Sequence, residues 1–292
     1  RASNTTGVLK FYNASSANAT SFQAGNATSS VTYTLPVADG TVGQGLITDG
    51  AGTLSWAAHG PSAIRFAGAG VFTVGAGVKA IIVKCVGGGG GGGGGVAGDA
   101  GGGNVNACQG GGGGSGGYSE VLILNPTLTA GFYTIALGAA GIAGTNAGVD
   151  GGNGGQSIFQ ITAGANLCVT NGGTGGQSCD NTERALREIW AGGAGAVTAA
   201  AVGDITCKGQ SGGYGHGLRD ADTSIGGAGG CSVFGGGADS NVLTSVDDTS
   251  VAGTAGSNYG GGGSGMVGTG DAHAARAGGA GAAGVVIVYE FR

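Results

Sequence analysis

Residues 78–96 read Val-Lys-Ala-Ile-Ile-Val-Lys-Cys-Val-Gly-Gly-Gly-Gly-Gly-Gly-Gly-Gly-Gly-Val, so a strand-like stretch runs directly into nine consecutive glycines. A long glycine run is unfavourable in a helix and weak in an ordinary strand, because glycine loses much backbone entropy on folding and has no side chain to pack. The fold therefore depends on what orders residues 87–95.

Glycine dominates the composition well beyond this run. It supplies 75 of the 292 residues, whereas charged residues make up 9% and there are only three prolines. Collagen is excluded, because the chain has neither a strict Gly-X-Y period nor abundant proline. The tracts after the first are irregularly spaced, so no fixed-length repeat exists. They occupy residues 101–103, 110–117, 151–155, 172–176, 192–195, 226–230, 235–237, 260–265 and 278–284.

Ten glycine tracts are more than a flexible linker requires. In polyproline-II geometry the amide and carbonyl groups point outward, and glycine leaves room for neighbouring helices to bond chain to chain. Alternating stretches around the tracts, above all residues 78–86, 119–124, 132–137 and 285–291, predict strands. We predict a mostly β fold with packed polyproline-II (polyglycine) helices. Disordered or looped tracts are the alternative.

The first 60 residues differ in composition from the rest. Twelve of the 75 glycines precede residue 87, and the early segment reads as short strands joined by turns such as Asp39-Gly40 and Asp49-Gly50. A segment this small and polar cannot form its own core, so we expect it to pair with other chains. We predict two domains, a β-rich shaft or neck over residues 1–60 and a glycine-rich tip over residues 61–292.

Residues 31–56, Val-Thr-Tyr-Thr-Leu-Pro-Val-Ala-Asp-Gly-Thr-Val-Gly-Gln-Gly-Leu-Ile-Thr-Asp-Gly-Ala-Gly-Thr-Leu-Ser-Trp, resemble a module of bacteriophage tail fibres and other viral fibres. Residues 7–12, Gly-Val-Leu-Lys-Phe-Tyr, are also usual there. Such fibres are homotrimers, so the resemblance implies an intertwined homotrimeric fibre tip.

The later part resembles the glycine-rich domain of phage tail-tip proteins. The resemblance rests on the order of residues 72–89, 116–123, 133–144 and 284–289. The chain is also similar in character to the polyglycine-II adhesins of T-even phages, whose loops between glycine helices contact the host receptor. It departs from them because it has a fibre-like N-terminal part and real strands around its glycine tracts.

Distinctive side chains lie between the tracts, where a rigid scaffold would display them on loops. Ordinary solvated loops are the alternative for each. The receptor-binding candidates are Tyr214, His216, Arg219, Asp220, Asn258, Tyr259, His273 and Arg276. Residues 180–190, Asp-Asn-Thr-Glu-Arg-Ala-Leu-Arg-Glu-Ile-Trp, predict the one helix, with an apolar face that packs on the domain or on a partner chain.

The six cysteines are candidates for disulfides. A disulfide between nearest-neighbour cysteines would close one loop of the chain. Closing a loop of this size stabilises the fold by about 3 kcal/mol. The nearest-neighbour pairs are Cys85 with Cys108, Cys168 with Cys179, and Cys207 with Cys231, but six cysteines can pair in fifteen ways and the sequence does not decide between them. Free buried thiols are the alternative, and zinc is disfavoured because no Cys-x-x-Cys occurs.

The sequence lacks the residue patterns that several classes of function require. The net charge is −5 with no basic stripe, which disfavours nucleic acid. No apolar run is long enough to span a membrane. No nucleophile elbow, phosphate-binding loop, paired carboxylates or metal-ligand spacing is present, so we expect no catalysis, no cofactor and no bound metal.

These observations favour a virion tail-fibre tip that attaches to a host glycan or outer-membrane protein, lies on the extracellular face of the virion and joins other fibre or tail proteins. A purely structural fibre or capsid-decoration protein is the alternative. A third class, an ice-binding protein, requires short tracts of fixed period, which the irregular spacing does not show.

Overall fold

The structure is a computed structural model, and it describes most of the chain. The described residues are 8–12, 19–23, 32–42, 44–58, 60–66, 68–98, 107–180, 189–197, 201–217, 223–244, 247–270 and 272–292. The chain divides into two compact units, Arg1–Gly60 and Pro61–Arg292. The described residues are mostly β and include no helix.

The first unit contains two antiparallel hairpins among its described residues. They are formed by β1 (Val8–Tyr12) with β2 (Ala19–Gln23), and by β3 (Gln44–Thr48) with β4 (Leu54–Ala58). The predicted turn at Asp49 is confirmed, since its carboxylate accepts the backbone N–H groups of Ala51 and Thr53. These bonds, with Ala51 the strongest, lower the pKa of Asp49.

Sixteen strands of the second unit lie in the described residues. They are β5 (Ser62–Phe66), β6 (Gly70–Phe72), β7 (Ala80–Val86), β8 (Cys108–Gln109), β9 (Tyr118–Leu124), β10 (Tyr133–Ala136), β11 (Ser157–Ile161), β12 (Asn166–Thr170), β13 (Ile189–Trp190), β14 (Ile205–Cys207), β15 (Gly215–Gly217), β16 (Ser224–Ile225), β17 (Val242–Leu243), β18 (Thr249–Val251), β19 (Val267–Thr269) and β20 (Val285–Phe291).

Two sheets pack face to face and form what we call the sandwich. One has the strand order β14-β9-β7-β20-β5 and the other β12-β11-β10-β6. Alternate residues of β7 and β20 point inward against the second sheet, as the alternating sequence predicts. Phe72, Phe159 and Tyr133 stack at its centre, with Phe159 fully buried. This is the apolar core of the unit.

Residues 87–95 leave β7 and become a hub of main-chain hydrogen bonds. Successive N–H groups donate in turn to residues 111–117, to residues 149–155 and to residues 276–282, and this order repeats three times along the nine residues. The carbonyls of residues 88–94 accept from three other segments, residues 138–145, 171–179 and 260–266, and the carbonyl of Gly95 accepts from Arg276. Six neighbours therefore surround one glycine run, and the pattern repeats every three residues.

Two more tracts are surrounded in the same way, so there are three hub tracts: residues 87–95, 110–117 and 260–266. All three are buried, and each bonds to the other two. Nine outer tracts complete the array, which we call the glycine bundle. They are residues 138–145, 149–156, 171–179, 191–197, 209–214, 226–230, 236–238, 253–257 and 276–284.

Glycine is required at the hubs because other backbones approach too closely for a side chain. A Cβ on Gly91 would lie 1.9 Å from the carbonyl oxygen of Ile142, and one on Gly93 would lie 1.8 Å from that of Gln177. In the outer tracts the inward positions recur every third residue, for example Gly138, Gly141 and Gly144, which are buried. Tract spacing is irregular, but the period within a tract is fixed at three.

The tracts run alternately away from the sandwich and back to it. Gly87 follows β7 directly, while Gly95 lies at the far end, next to Arg276. Residue 62 begins β5 opposite Glu290, at the end of the sandwich that is remote from the bundle. The second unit thus has a proximal end, where its chain begins, and a distal end, where tracts turn back.

The predicted helix over residues 180–190 is wrong where it can be compared. Residues 181–188 lie outside the described part of the chain, but Ile189 and Trp190 form β13. These two residues pair with His216 and Gly215 of β15 in a sheet, so cross-strand pairing outweighs the apolar face that predicted a helix.

Candidate functional site

The distal end of the bundle is closed by short strands that we call the distal cap: β8, β13 and β15 to β19. They form two small sheets, with strand orders β13-β15-β16-β17 and β18-β19-β8. One connection at this end is a tight turn at residues 146–148, whereas the other five each span nine or more residues. Five of the six distal connections are therefore long, by the number of residues between the tracts that they join.

The inner face of the first cap sheet is anchored to the bundle. Trp190 packs against Cys108, Cys179 and Met266. Ser224 is fully buried and accepts a hydrogen bond from the side-chain amide of Gln109, at 3.0 Å. These contacts fix the orientation of the sheet.

The outer face of that sheet shows a row of four side chains. Ile189, His216, Ile225 and Val242 lie opposite one another on successive strands, so their side chains share one face. Neighbouring strands are about 4.8 Å apart, which makes the row about 14 Å long. Ile189 is 67% exposed and Val242 is 51% exposed. Tyr214, directly before β15, is 65% exposed. We call these five residues the cap face.

A disulfide ties two cap connections together. Cys108 and Cys179 are bonded, with their Cα atoms 5.7 Å apart. The nearest-neighbour arrangement is therefore not the one observed: neither Cys85 with Cys108 nor Cys168 with Cys179 is bonded. An extended tract advances about 3 Å per residue, so Cys168 and Cys179 lie at opposite ends of the bundle and cannot meet.

The third nearest-neighbour pair is not bonded either. Cys207 and Cys231 both carry free, exposed thiols. Cys207 belongs to the edge strand β14 and pairs with Tyr118 in the sandwich sheet. The thiol of Cys231 accepts the N–H of Gly237 in its own tight connection.

The sequence-predicted receptor candidates do not form one cluster. Tyr214 and His216 belong to the cap face. Arg276 is exposed at the distal end, where its Nε donates to the hydroxyl of Ser250 at 3.0 Å. Arg219 and Asp220 lie outside the described residues.

His273 lies in the cap but is buried, with 1% exposure. Its Nδ1 is 2.9 Å from the carbonyl oxygen of Gly270, its ring covers Gly268, and its Nε2 has no hydrogen-bond partner among the described residues. A buried ring of this kind positions the turn between β19 and the next tract, and it is not available to a receptor.

Asn258 and Tyr259 lie where the bundle meets the sandwich. Tyr259 packs with Phe234 against Val86 in the sandwich, and the guanidinium of Arg65 lies 5.5 Å from the ring centre. Asn258 precedes it with a φ of 49°. These two residues make the joint between sandwich and bundle.

Sequence reasoning missed Ile189, Ile225 and Val242. Each belongs to a two-residue strand, and the strands come from separate loops. A pair of residues carries no alternation to detect, so the sequence held no signal for the row.

The described part of the chain has no group of three His, Cys, Asp or Glu side chains placed to hold a metal ion. No helix among the described residues is long and apolar enough to cross a membrane.

Residues 64–290 match the model of the family described as the glycine-rich domain. This range covers most of the 292 residues, and the chain therefore belongs to that family. Comparison with curated proteins finds no match.

Proposed function

We propose that this chain is the receptor-binding tip of a virion fibre, and that the distal cap contacts the host surface without chemical turnover. The observation that carries the proposal is the polarity of the second unit. The chain enters at one end, and a rigid array of tracts holds the cap face at the other. An adhesin needs this separation between attachment and contact.

The twelve tracts act as polyglycine-II helices in this proposal. A polyproline-II chain has three residues per turn and no internal hydrogen bonds, so its donors are free to bond three neighbours in rotation. The cycle of three in residues 87–95 fits this geometry. Such a scaffold is held by its main chain, and its loops are free to vary.

Exposed apolar side chains in the first unit support a homotrimer. Tyr33 is 62% exposed, Leu35 68%, and Val37 and Val42 are fully exposed. Clustered exposed apolar residues on a small unit favour association with other chains. Light scattering on the full chain is expected to give the mass of a trimer, and a stable monomer would remove the fibre assignment of this unit.

The receptor function is tested by adsorption. The purified full chain is expected to compete with the parent virion for host cells. The variants Tyr214→Ala and Ile189→Ser are each expected to lower this competition at least tenfold. Leu122→Ser is the matched control, because Leu122 is an exposed apolar residue of the sandwich.

The outcomes separate the two fibre hypotheses. Loss in the cap variants alone supports the receptor function. If the chain competes no better than an unrelated protein while its fold and mass are intact, the purely structural alternative stands.

One side of the bundle gives a second candidate, binding to an ice surface. The neighbouring outer tracts 138–145, 253–257 and 277–284 contain no charged residue and expose small side chains such as Ala139, Thr145 and Thr254. An ice-binding surface requires a regular period. The irregular spacing between tracts does not provide one, but the period of three within each tract does. Thermal hysteresis that disappears in Ile142→Arg would support this candidate, and its absence in the full chain would dismiss it.

A further inference from the structure

Two buried thiols face each other across the sandwich. Cys85 lies on β7 of one sheet and Cys168 on β12 of the other, and both residues are 0% exposed. The Cys85 sulfur is 3.9 Å from the carbonyl oxygen of Cys168. The Cys168 sulfur is 3.8 Å from the carbonyl oxygen of Val83. Each thiol thus lies against the partner's strand.

The position of this pair matches that of the observed disulfide. The strands β7 and β12 lead directly into tracts 87–95 and 171–179, which bond to each other along their length. At the distal end of these tracts, Cys108 is bonded to Cys179. At the sandwich end, Cys85 and Cys168 occupy the corresponding place.

We propose that Cys85 and Cys168 are a second disulfide site, which closes when the chain folds in an oxidising environment. Cys85, Cys108, Cys168 and Cys179 are then bonded between segments that are distant in the sequence, and not between nearest neighbours. Cys85 precedes tract 87–95 and Cys108 precedes tract 110–117, so the two bonds fasten tract 171–179 at both ends, to tract 87–95 at the sandwich end and to tract 110–117 at the distal end. This inference does not depend on the proposed receptor function.

The reaction is ordinary thiol–disulfide exchange with a small-molecule disulfide such as oxidised glutathione. The Cys168 thiolate attacks one glutathione sulfur, which forms a mixed disulfide and releases one glutathione thiolate. The Cys85 thiolate then attacks the Cys168 sulfur and releases the second. The two protein thiols lose two protons and two electrons, and the oxidant becomes two thiols.

The local environment indicates which thiol reacts first. A hydrogen bond from the Cys85 thiol lowers the pKa of Cys168, while burial raises the pKa of Cys85 well above its ordinary value. The thiolate is the nucleophile, so Cys168 is the attacking group. Both sulfurs are buried in the closed sandwich, so exchange takes place after Cys85 and Cys168 come into contact and before the sheets exclude the oxidant.

The test is a thiol map of the full chain. The chain is refolded from guanidinium in a mixture of oxidised and reduced glutathione. It is then denatured again in the presence of iodoacetamide, which alkylates every free thiol, and digested without reduction. The expected map has Cys207 and Cys231 alkylated, with one peptide pair joined through Cys85 and Cys168. Alkylated Cys85 and Cys168 beside a closed Cys108–Cys179 bond would overturn the proposal.

Two variants exclude trivial pairings. In Cys207→Ser/Cys231→Ser, no exposed thiol remains, and no alkylation at all is expected. In Cys108→Ala/Cys179→Ala, the peptide pair through Cys85 and Cys168 is still expected. A bond from Cys85 or Cys168 to Cys207 or Cys231 in the chain with all six cysteines contradicts the proposal. This outcome can be observed without substituting any buried residue.

Discussion

The sandwich and the glycine bundle hold one chain together by opposite means. In the sandwich, side chains such as Phe72, Phe159 and Val288 are buried between two sheets, and most backbone groups bond to neighbouring strands. In the bundle the hub tracts have almost no side chains, and every N–H of residues 87–95 bonds to another tract. Removing side chains destroys the first arrangement, whereas adding them destroys the second.

This difference explains the composition. Leu, Ile, Val and Phe are scarce for a chain of 292 residues because only the sandwich needs them. The bundle replaces apolar burial with satisfied backbone groups, and each such bond contributes on the order of 1 kcal/mol net. Close approach of bare backbones also adds weak Cα–H···O contacts.

The largest effect is expected from adding a side chain to a hub. Gly91→Val places a Cβ 1.9 Å from the Ile142 carbonyl, which is backbone and cannot move aside. Overpacking a well-fitted interior costs about 1–3 kcal/mol, and a clash with main chain exceeds that range. Circular dichroism and thermal melting are expected to show no cooperative fold. Gly68→Ala is the control, since its added Cβ meets nothing within 4 Å and is expected to leave the melt unchanged.

The opposite change applies to the sandwich. Phe159→Ala removes a fully buried ring stacked on Tyr133 and is expected to lower the free energy of unfolding by about 3–5 kcal/mol. Guanidinium unfolding of the purified chain measures it. A loss below about 1 kcal/mol would mean that the apolar core contributes little beside the bundle.

Opening the observed disulfide has a smaller expected effect. Cys108 and Cys179 close a separation of 71 residues, and Cys108→Ala/Cys179→Ala is expected to cost about 2–4 kcal/mol. The loss should concern the cap and its neighbouring tracts, and leave the sandwich folded. Reduction of the native chain by dithiothreitol serves as the matched comparison, and unchanged melting in both would contradict the stapling role.

The smallest effect concerns alkaline pH. Burial, and then the neighbouring Glu120 carboxylate to which it donates a hydrogen bond, raise the pKa of Tyr118. The folded chain therefore keeps this proton above about pH 10, where an unfolded tyrosine loses it, so stability falls as pH rises past that value. The free energy of unfolding is measured between about pH 9 and 11, a range around the ordinary tyrosine pKa of about 10. It should depend less on pH in Tyr118→Phe than in the native chain. An identical slope in the variant would refute this assignment.

The sequence predicted the parts of the molecule that have a local signal. The strands β7, β9, β10 and β20 are confirmed close to their predicted bounds, because alternation over several residues marks them. The strand Ser157–Ile161 was missed, because its sequence Ser-Ile-Phe-Gln-Ile is short and does not alternate regularly between polar and apolar residues.

Pairing between distant segments was beyond the sequence. Glycine tracts are alike, so nothing in their residues indicates that 87–95 is central or that 171–179 lies beside it. The cysteine pairing could not be read from the sequence for this reason. The cap face could not be predicted either, because its members are brought together only by the order of the tracts.

Amide hydrogen exchange of residues 87–95 tests the central claim most directly. If main-chain bonds to six neighbours order these glycines, their N–H groups should exchange as slowly as those of β7 and β20, at the rate set by global unfolding. If they exchange within seconds, like an unstructured glycine peptide, while the sandwich strands remain protected, the bundle does not hold the chain and the account is contradicted.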